Sequence, residues 1–462
     1  MFDRKIYFER RKRLKKEVGN GLIVLLGNEE SSMNYKDNLY PFKQDSTFLY
    51  FIGIDRPELM AVIDIDNDDE IVFGDDLTTE QIIWTGYREP LNILCDRVSI
   101  TNLKRKKDFG SQVIEAVKQK RKIHFLPPYR PEHSSLLSSL LEVPASKLLD
   151  LVSEDLIKAI VAQRSYKSQE EVAEIAMAVN TTINMQYTAI TMAREGMTEA
   201  QLAGNIQSIA IGAGGGLSFP TILTQNGQIL HNGYSHAKLE KGNLVLCDCG
   251  AETSMHYAGD LTRTFPVSSK FTNIQREIYT IVLNAHEAAV SLLKPGILFR
   301  DVHLFACEKL VEGLQQLGLM KGDIKEAVLQ GAHALFFPCG LGHMMGLDTH
   351  DMENLGENFI GYNDTIKKSA QFGLKSLRLG KPLEEGFVIT VEPGLYFNPD
   401  LIDEWAAEKK FLSFINYSKL EEYKKLSGIR VEEDFLITRD SKQLLGKKLA
   451  KTPTEIEELR PD

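Results

Sequence analysis

NLVLCDCGAETSMHYAGDLTRTFPV, residues 243–267, holds two apolar runs of strand length, NLVLCDCG and LTRTFPV, joined by a short polar link. An acid stands where a strand should be apolar in each: Asp248 inside the first run and Asp260 at the head of the second. The pattern recurs further on. Glu392 lies in FVITVEPGLYF, residues 387–397, and Glu432 in GIRVEEDFLIT, residues 428–438. An ionised carboxylate is costly to bury unless it is paired or bound to metal. One such acid reads as an exposed strand face or a strand end; four flanked by bulky apolar residues are harder to explain that way. Arg263 near Asp260 and Arg430 near Glu432 cannot neutralise all four, whereas two divalent cations would. Four carboxylates and two doubly charged ions cancel, and a hydroxide shared by those cations brings the cluster to one net negative charge. Oxygen donors with a single imidazole favour manganese or a similar ion over a thiolate zinc site.

The imidazole is expected from LGHMMGLDTHDMENLG, residues 341–356. Gly340, Gly342 and Gly346 surround His343, so backbone can approach closely and the ring can reach inward. His350 follows in the same stretch, and His231 sits in GQILHNG beyond a turn.

Around these segments the chain divides. Its 462 residues are too many for one ordinary domain. From about 21 to 145, GLIVLLG, FLYFIGI, MAVIDID, EIVFG and KIHFLPP read as strands and SQVIEAVKQKR as a helix, which is an α/β pattern. A boundary is expected around 155–165, giving an N-terminal domain over 1–160 and a second over 161–462. Ser168, followed by Glu170 and Glu171, signals the start of a helix. Long amphipathic helices around 169–194, 272–294 and 298–318 then alternate with the acid-bearing strands. This predicts an α+β domain in which distant segments share one sheet. GAGGG, residues 212–216, lacks the Gly-Lys-Ser/Thr ending of a phosphate loop and reads as a flexible turn.

Bulk properties exclude several classes. A net charge of −10 speaks against a nucleic-acid groove. The five cysteines (Cys95, Cys247, Cys249, Cys307, Cys339) are odd in number and scattered, so no disulfide framework is implied. Cys247 and Cys249 are expected to point to opposite faces of their strand, as neither a zinc knuckle nor a redox pair. The basic start MFDRKIYFERRKRLKKEV lacks the apolar run of a signal peptide, and no stretch has the length of a membrane span. A cytoplasmic location is expected, with no membrane partner.

Taken in order, DCGAE…GDLTRTFPV, GLGHMMGLDTHD, TVEPGLY and GIRVEED resemble the metal-dependent Xaa-Pro peptidases, the aminopeptidase P and prolidase branch of the pita-bread family. YPFKQDSTFLYFIGI and IIWTGY in the first half are similar to aminopeptidase P as well, so the resemblance spans essentially the whole chain. It implies a creatinase/prolidase-like α/β N-terminal domain followed by an α+β pita-bread catalytic domain. It implies two divalent ions, manganese first, with cobalt, zinc or iron(II) as alternatives. Asp248 would bind one metal, Asp260 and Glu432 would bridge both, and His343 and Glu392 would bind the second. Glu392 would also act as general base toward the nucleophilic water. His231 and His350 would steady the scissile carbonyl region. Cys339, Tyr396 and Arg430 would lie at the proline pocket, and Trp84 would reach the active-site mouth of a neighbouring subunit. The implied substrates are peptides with proline second, whose Xaa-Pro bond lacks an N–H and has φ fixed by the ring. A homodimer or homotetramer built through the N-terminal domain is expected.

Three features depart from the family pattern. PCGLGH carries Cys339 where the family reads histidine. Asp248 and Asp260 stand one residue further apart, with the extra residue expected between Glu252 and Tyr257, where a hairpin tip tolerates it. Thr47 replaces an acid, with Asp45 nearby. The rival readings are a prolidase confined to Xaa-Pro dipeptides, a non-catalytic peptide- or protein-binding pita-bread protein, a metal-free creatinase-like hydrolase and a methionine aminopeptidase. The five intact ligand positions oppose the binding protein and the creatinase-like hydrolase, and the N-terminal domain opposes the methionine aminopeptidase.

Overall fold

The computed structural model describes residues 1–460. Two compact units emerge, one of Met1–Arg164 with Asn354–Phe359, the other of Ser165–Glu353 with residues from Ile360 onward.

The first unit contains helices α1 (Arg4–Val18), α2 (Ser46–Ile52), α3 (Thr79–Thr85), α4 (Leu91–Arg97), α5 (Phe109–Lys118), α6 (Pro131–Leu141) and α7 (Glu154–Arg164). Its strands β1 (Leu22–Leu26), β2 (Met60–Asp64), β3 (Asp69–Phe73), β4 (Asn102–Lys104) and β5 (Ile123–His124) form one sheet in the order β4-β3-β2-β1-β5. The sheet is mixed: β1–β2 and β2–β3 run antiparallel, β1–β5 and β3–β4 parallel. Alternate residues Leu22, Val24, Met60, Val62, Ile71 and Phe73 pack with Phe109 and Val113 of α5 and with Leu137 and Leu140 of α6. Ile23, Leu25, Ala61, Ile63 and Val72, on the opposite face, are buried too. Burial of both faces explains why these strands read as continuous apolar runs.

FLYFIGI is a helix, not the expected strand. The Asp45 carboxylate caps α2 by accepting from Phe48 N at 2.8 Å, and Gly53 ends it in the left-handed region at φ 71°. Phe48, Tyr50, Phe51 and Ile52 are all buried, so the helix shows no polar stripe and its run carries no period.

The second unit begins with α8 (Gln169–Met192), capped by Ser168 and Glu171 in a reciprocal capping box. Next come α9 (Glu199–Gly212), β6 (Gly216–Leu217), β7 (Ile222–Thr224), β8 (Leu244–Cys249), β9 (Ala251–Glu252) and β10 (Leu261–Pro266). Helices α10 (Asn273–Leu292), α11 (Phe299–Gln316) and α12 (Ile324–Gln330) follow, then β11 (Val388–Val391), β12 (Gly394–Tyr396), β13 (Gly428–Arg430), β14 (Glu433–Ile437) and β15 (Lys442–Leu444). This is an α+β arrangement. The single shared sheet resolves into two three-stranded sheets, β10-β8-β7 and β11-β14-β15, plus the ribbons β12-β13 and β6-β9. The breaks fall at the acids. Pro393 cannot donate to a ladder and parts β11 from β12, while Val431–Glu432 parts β13 from β14. Glu432 N donates to Thr262 O at 3.1 Å and Arg430 N to Thr264 Oγ1 at 3.1 Å, stitching the pieces across β10.

Cys247 and Cys249 share a face, contrary to expectation: their sulfurs are 3.9 Å apart, because residues two apart on a strand point the same way. GAGGG does form the turn between α9 and β6, yet close packing constrains it. A Cβ on Gly215 would lie 1.9 Å from Glu252 O.

Candidate active site

Hairpin β8–β10 is antiparallel and sets Asp248 opposite Thr262. Gln186 of buried α8 fixes its position, Nε2 donating to Cys247 O (3.0 Å) and Leu261 O (2.5 Å). Asp248 is interior to its strand, whereas Asp260, Glu392 and Glu432 each lie one residue beyond a strand end. Strand ends let a side chain leave the pleat and turn into a common space.

His343 reaches the same space from an irregular segment alongside β11. Glu392 N donates to Leu341 O (2.7 Å) and Thr390 N to His343 O (3.1 Å). Such closeness requires the glycines: a Cβ on Gly342 would stand 2.1 Å from Thr390 O. His343 Nδ1 lies 3.0 Å from Met344 O, which assigns the ring proton to Nδ1. Nε2 keeps its lone pair and faces Asp260 Oδ2 (3.5 Å) and Glu392 Oε1 (3.6 Å).

The acids converge without enough bases. Asp260, Glu432 and His343 are buried, and one ligating atom from each lies within 4.8 Å of the others. Arg430 pairs with Asp248 and not with Glu432, its Nη2 donating to Asp248 Oδ2 at 2.5 Å. Arg263 turns away from Asp260 and donates to Glu433 Oε1 at 2.9 Å. Glu432 Oε2 accepts only from a neutral donor among the described residues, Thr262 Oγ1, at 2.6 Å. Asp248 Oδ1 and Asp260 Oδ1 are buried with no hydrogen-bond partner among the described residues. Burial raises the carboxyls of Asp260 and Glu432 well above the usual range, and neighbouring acids add to it. Burial likewise pushes Glu392 up to about 7, with the charges of Asp260 and Asp248 contributing. A proton on each acid, or cations between them, relieves this repulsion. Orphaned oxygens beside a free imidazole nitrogen make a donor set that fits divalent metal.

These five residues line a cavity of about 760 Å³ that also takes in His231, His350, Cys339, Arg378 and Arg430. Phe219, Pro220, Ile222, Leu230 and Pro338 supply apolar wall. Burial lowers the pKa of His231 and of His350, so both are neutral near pH 7. The His350 ring sits 4.3 Å from that of His343. Burial pushes the Cys339 thiol up to about 12, which keeps it protonated. Tyr396 is not in the cavity wall; it is buried behind, where its Oη accepts from Arg430 Nη1 at 2.8 Å. Trp84 belongs to the first unit, on α3, and is 82% exposed.

Three contributors went unread in the sequence. Glu353 Oε2 lies 2.5 Å from His350 Nδ1 and is approached by Arg378; the hydrogen bond to His350 holds Glu353 at about 2. Asp434 is fully buried and its Oδ2 accepts from Asp260 N, which aims Asp260. Lys167 Nζ donates to Asp351 Oδ2 at 2.9 Å with both side chains sealed, anchoring the loop that carries His350. The acid run Glu432-Glu433-Asp434 was the one available signal, since three consecutive acids on a strand cannot all face water.

Comparison with known proteins gives a consistent picture. The family "Metallopeptidase family M24" matches residues 168–439, and "Aminopeptidase P, N-terminal domain" matches residues 7–124. The chain is 31% identical to the Xaa-Pro aminopeptidase of Escherichia coli strain K12, over 99% of this chain and 97% of that protein. It is 27% identical to the human Xaa-Pro dipeptidase, over 92% of this chain and 85% of that protein. Among solved structures, proline aminopeptidase P II from Yersinia pestis superposes with a TM-score of 0.81 at 28% identity, covering 99% of both chains. Aminopeptidase P from E. coli with the inhibitor Pro-Leu superposes with a TM-score of 0.80 at 29% identity, covering 99% of this chain and 98% of that one.

Proposed function

The chain belongs to metallopeptidase family M24, and from that premise we propose how its own residues carry out the reaction. It is an Xaa-Pro aminopeptidase: a metallopeptidase with an aminopeptidase P N-terminal domain and a pita-bread catalytic domain, removing the first residue of peptides in which proline stands second. We assign the N-terminal domain to 1–160 and the catalytic domain to 161–462.

Asp248, Asp260, His343, Glu392 and Glu432 would hold two divalent ions, manganese in the first instance. When bound, such ions acidify a water and polarise the scissile carbonyl. Asp260 and Glu432, more deeply buried than Asp248, would be the shared ligands, with Asp248 serving one ion and His343 and Glu392 the other. Glu392 takes the proton of the attacking water. Its side chain is 20% exposed to the cavity, within reach of what enters. His231 and His350 are neutral donors that hydrogen-bond the carbonyl oxygen and the leaving imide nitrogen as charge develops. Glu353 orients His350 by fixing its Nδ1 proton. The apolar wall receives the proline ring, with Cys339 and Arg430 at its edge and Tyr396 steadying Arg430.

Two further assignments complete the reading. Ile83, Trp84 and Tyr87 stand exposed together on and just beyond α3 at 78%, 82% and 73%, an apolar patch fit for a subunit contact, which supports a homodimer or homotetramer that brings Trp84 to a neighbour's active-site mouth. We assign the chain to the reducing cytoplasm, where its five thiols would stay reduced.

The observation that supports the metal reading most directly is the meeting of Asp260, His343 and Glu432 around orphaned carboxylate oxygens. Elemental analysis combined with turnover of an Xaa-Pro-Xaa tripeptide and an Xaa-Pro dipeptide, with and without manganese, tests it. Manganese-dependent cleavage of the tripeptide is expected. Cleavage of the dipeptide alone makes the enzyme a prolidase, and full activity after metal removal refutes the mechanism.

A further inference from the structure

Helix α11 carries His303 and Cys307 one turn apart on its buried face, and the turn Ala332–Leu335 brings His333 against them. All three side chains are sealed from solvent. One ligating atom from each lies within 4.8 Å of the other two. His303 Nε2 and Cys307 Sγ are 3.5 Å apart, and two donors on one tetrahedral zinc-like ion, at about 2.0 and 2.3 Å from it, stand about that far apart. Among the described residues, His303 Nδ1 and both ring nitrogens of His333 are buried without a hydrogen bond of ordinary geometry, although the Val328 carbonyl faces the His333 ring. Three polar groups closed into apolar surroundings in this way are destabilising unless something joins them.

We propose that His303, Cys307 and His333 form a second metal site, apart from the catalytic cavity, that takes a thiophilic d10 cation, copper(I) or zinc(II). Two imidazoles and a thiolate are soft donors, unlike the hard oxygens of the catalytic acids. Burial lowers His303 to about 3 and His333 to about 4, so both rings present lone pairs at neutral pH. Binding displaces the Cys307 thiol proton to solvent, and the sulfur it leaves completes the donor set. Charge favours the monovalent ion. Copper(I) with one thiolate is neutral, whereas zinc(II) leaves a buried positive charge with no carboxylate in the cluster to offset it. Burial holds the free Cys307 thiol protonated, so the cation must displace that proton, and the site would tie α11 to the turn that leads into Cys339.

The test uses the full chain, with copper(I) supplied anaerobically from a competing chelator in one arm and zinc(II) in the other. Wild type should retain about one equivalent of the soft ion per chain, with a sulfur neighbour visible by X-ray absorption. The double variant Asp260→Asn/Glu432→Gln should retain it equally. Cys307→Ser and His333→Asn, each checked for folding by circular dichroism, should weaken retention by at least about tenfold. Stronger retention of copper(I) than of zinc by the double variant, whose catalytic acids no longer compete for zinc, supports the charge argument, and the reverse order overturns that part. The absence of a sulfur neighbour in wild type, equal retention by Cys307→Ser, or loss of the ion together with the catalytic acids overturns the site itself.

Discussion

Glu392 differs from the other converging acids in one respect: a fifth of its side chain reaches the cavity, while Asp260 and Glu432 are almost wholly enclosed. An enclosed carboxylate can only hold charge in place, but a partly open one can also exchange a proton with what enters. Glu392→Gln keeps the shape and removes the base, so kcat should fall about a hundredfold to ten-thousandfold with the thermal midpoint preserved. Steady-state kinetics and calorimetry check this, and retention of most activity would refute the assignment. Cys339 lines the cavity as a protonated thiol, where the family resemblance leads one to expect a histidine. Cys339→His should raise kcat/KM or widen the range of Xaa-Pro-Xaa peptides accepted, and an unchanged profile would remove Cys339 from the pocket. At this scale the sequence was generous with acids, because a charge inside an apolar run is conspicuous. It was silent on Glu353 and Lys167, whose partners become neighbours only through folding, and it misdirected Arg263 and Arg430, since closeness in sequence says nothing about which way a long side chain turns.

The site depends on elements that end where they do. β11 stops before Glu392 and β14 starts after Glu432, so both acids escape the ladder. Segment 341–345 lies against β11 only because Gly342 has no side chain. Gly342→Ala would drive a Cβ into Thr390 O, whose 2.1 Å separation leaves no room and whose backbone cannot step aside. A loss of about 1–3 kcal/mol is expected, together with weaker manganese binding as His343 shifts; chemical denaturation and metal titration measure both. An unchanged stability would mean that the segment is free to slide. The amphipathic helices were legible because each has one wet side, and the strands because they are short apolar runs bounded by turn residues. α2 was not, because it is apolar all round, and only Asp45 and Gly53 at its ends distinguish it from a strand.

Over the whole molecule, excess negative charge gathers at one interior point. Asp260, Glu432, Asp434 and Glu392 all bind protons more tightly when folded than carboxyls do in an unfolded chain, near pH 4. Without metal, their contribution to stability is therefore complete below about pH 4 and is lost as pH rises through the folded values, about 7 for Glu392. Divalent ions remove the repulsion in place of protons. Chelated and manganese-loaded protein should thus melt closer together near about pH 5 and diverge toward about pH 8, which a series of thermal scans measures. Equal melting at every pH would show that the cluster holds no cation.

The pairing of Asp248 with Arg430, and of Thr262 with Glu432, joins segments that leave the ribosome far apart in time. A nascent chain extruded only through α12 already exposes Asp248 and Asp260 but owns neither Glu392 nor Glu432. It cannot assemble the cluster, so translation must pass β14 before any peptidase exists, and half-made copies pose no threat to newly begun polypeptides around them.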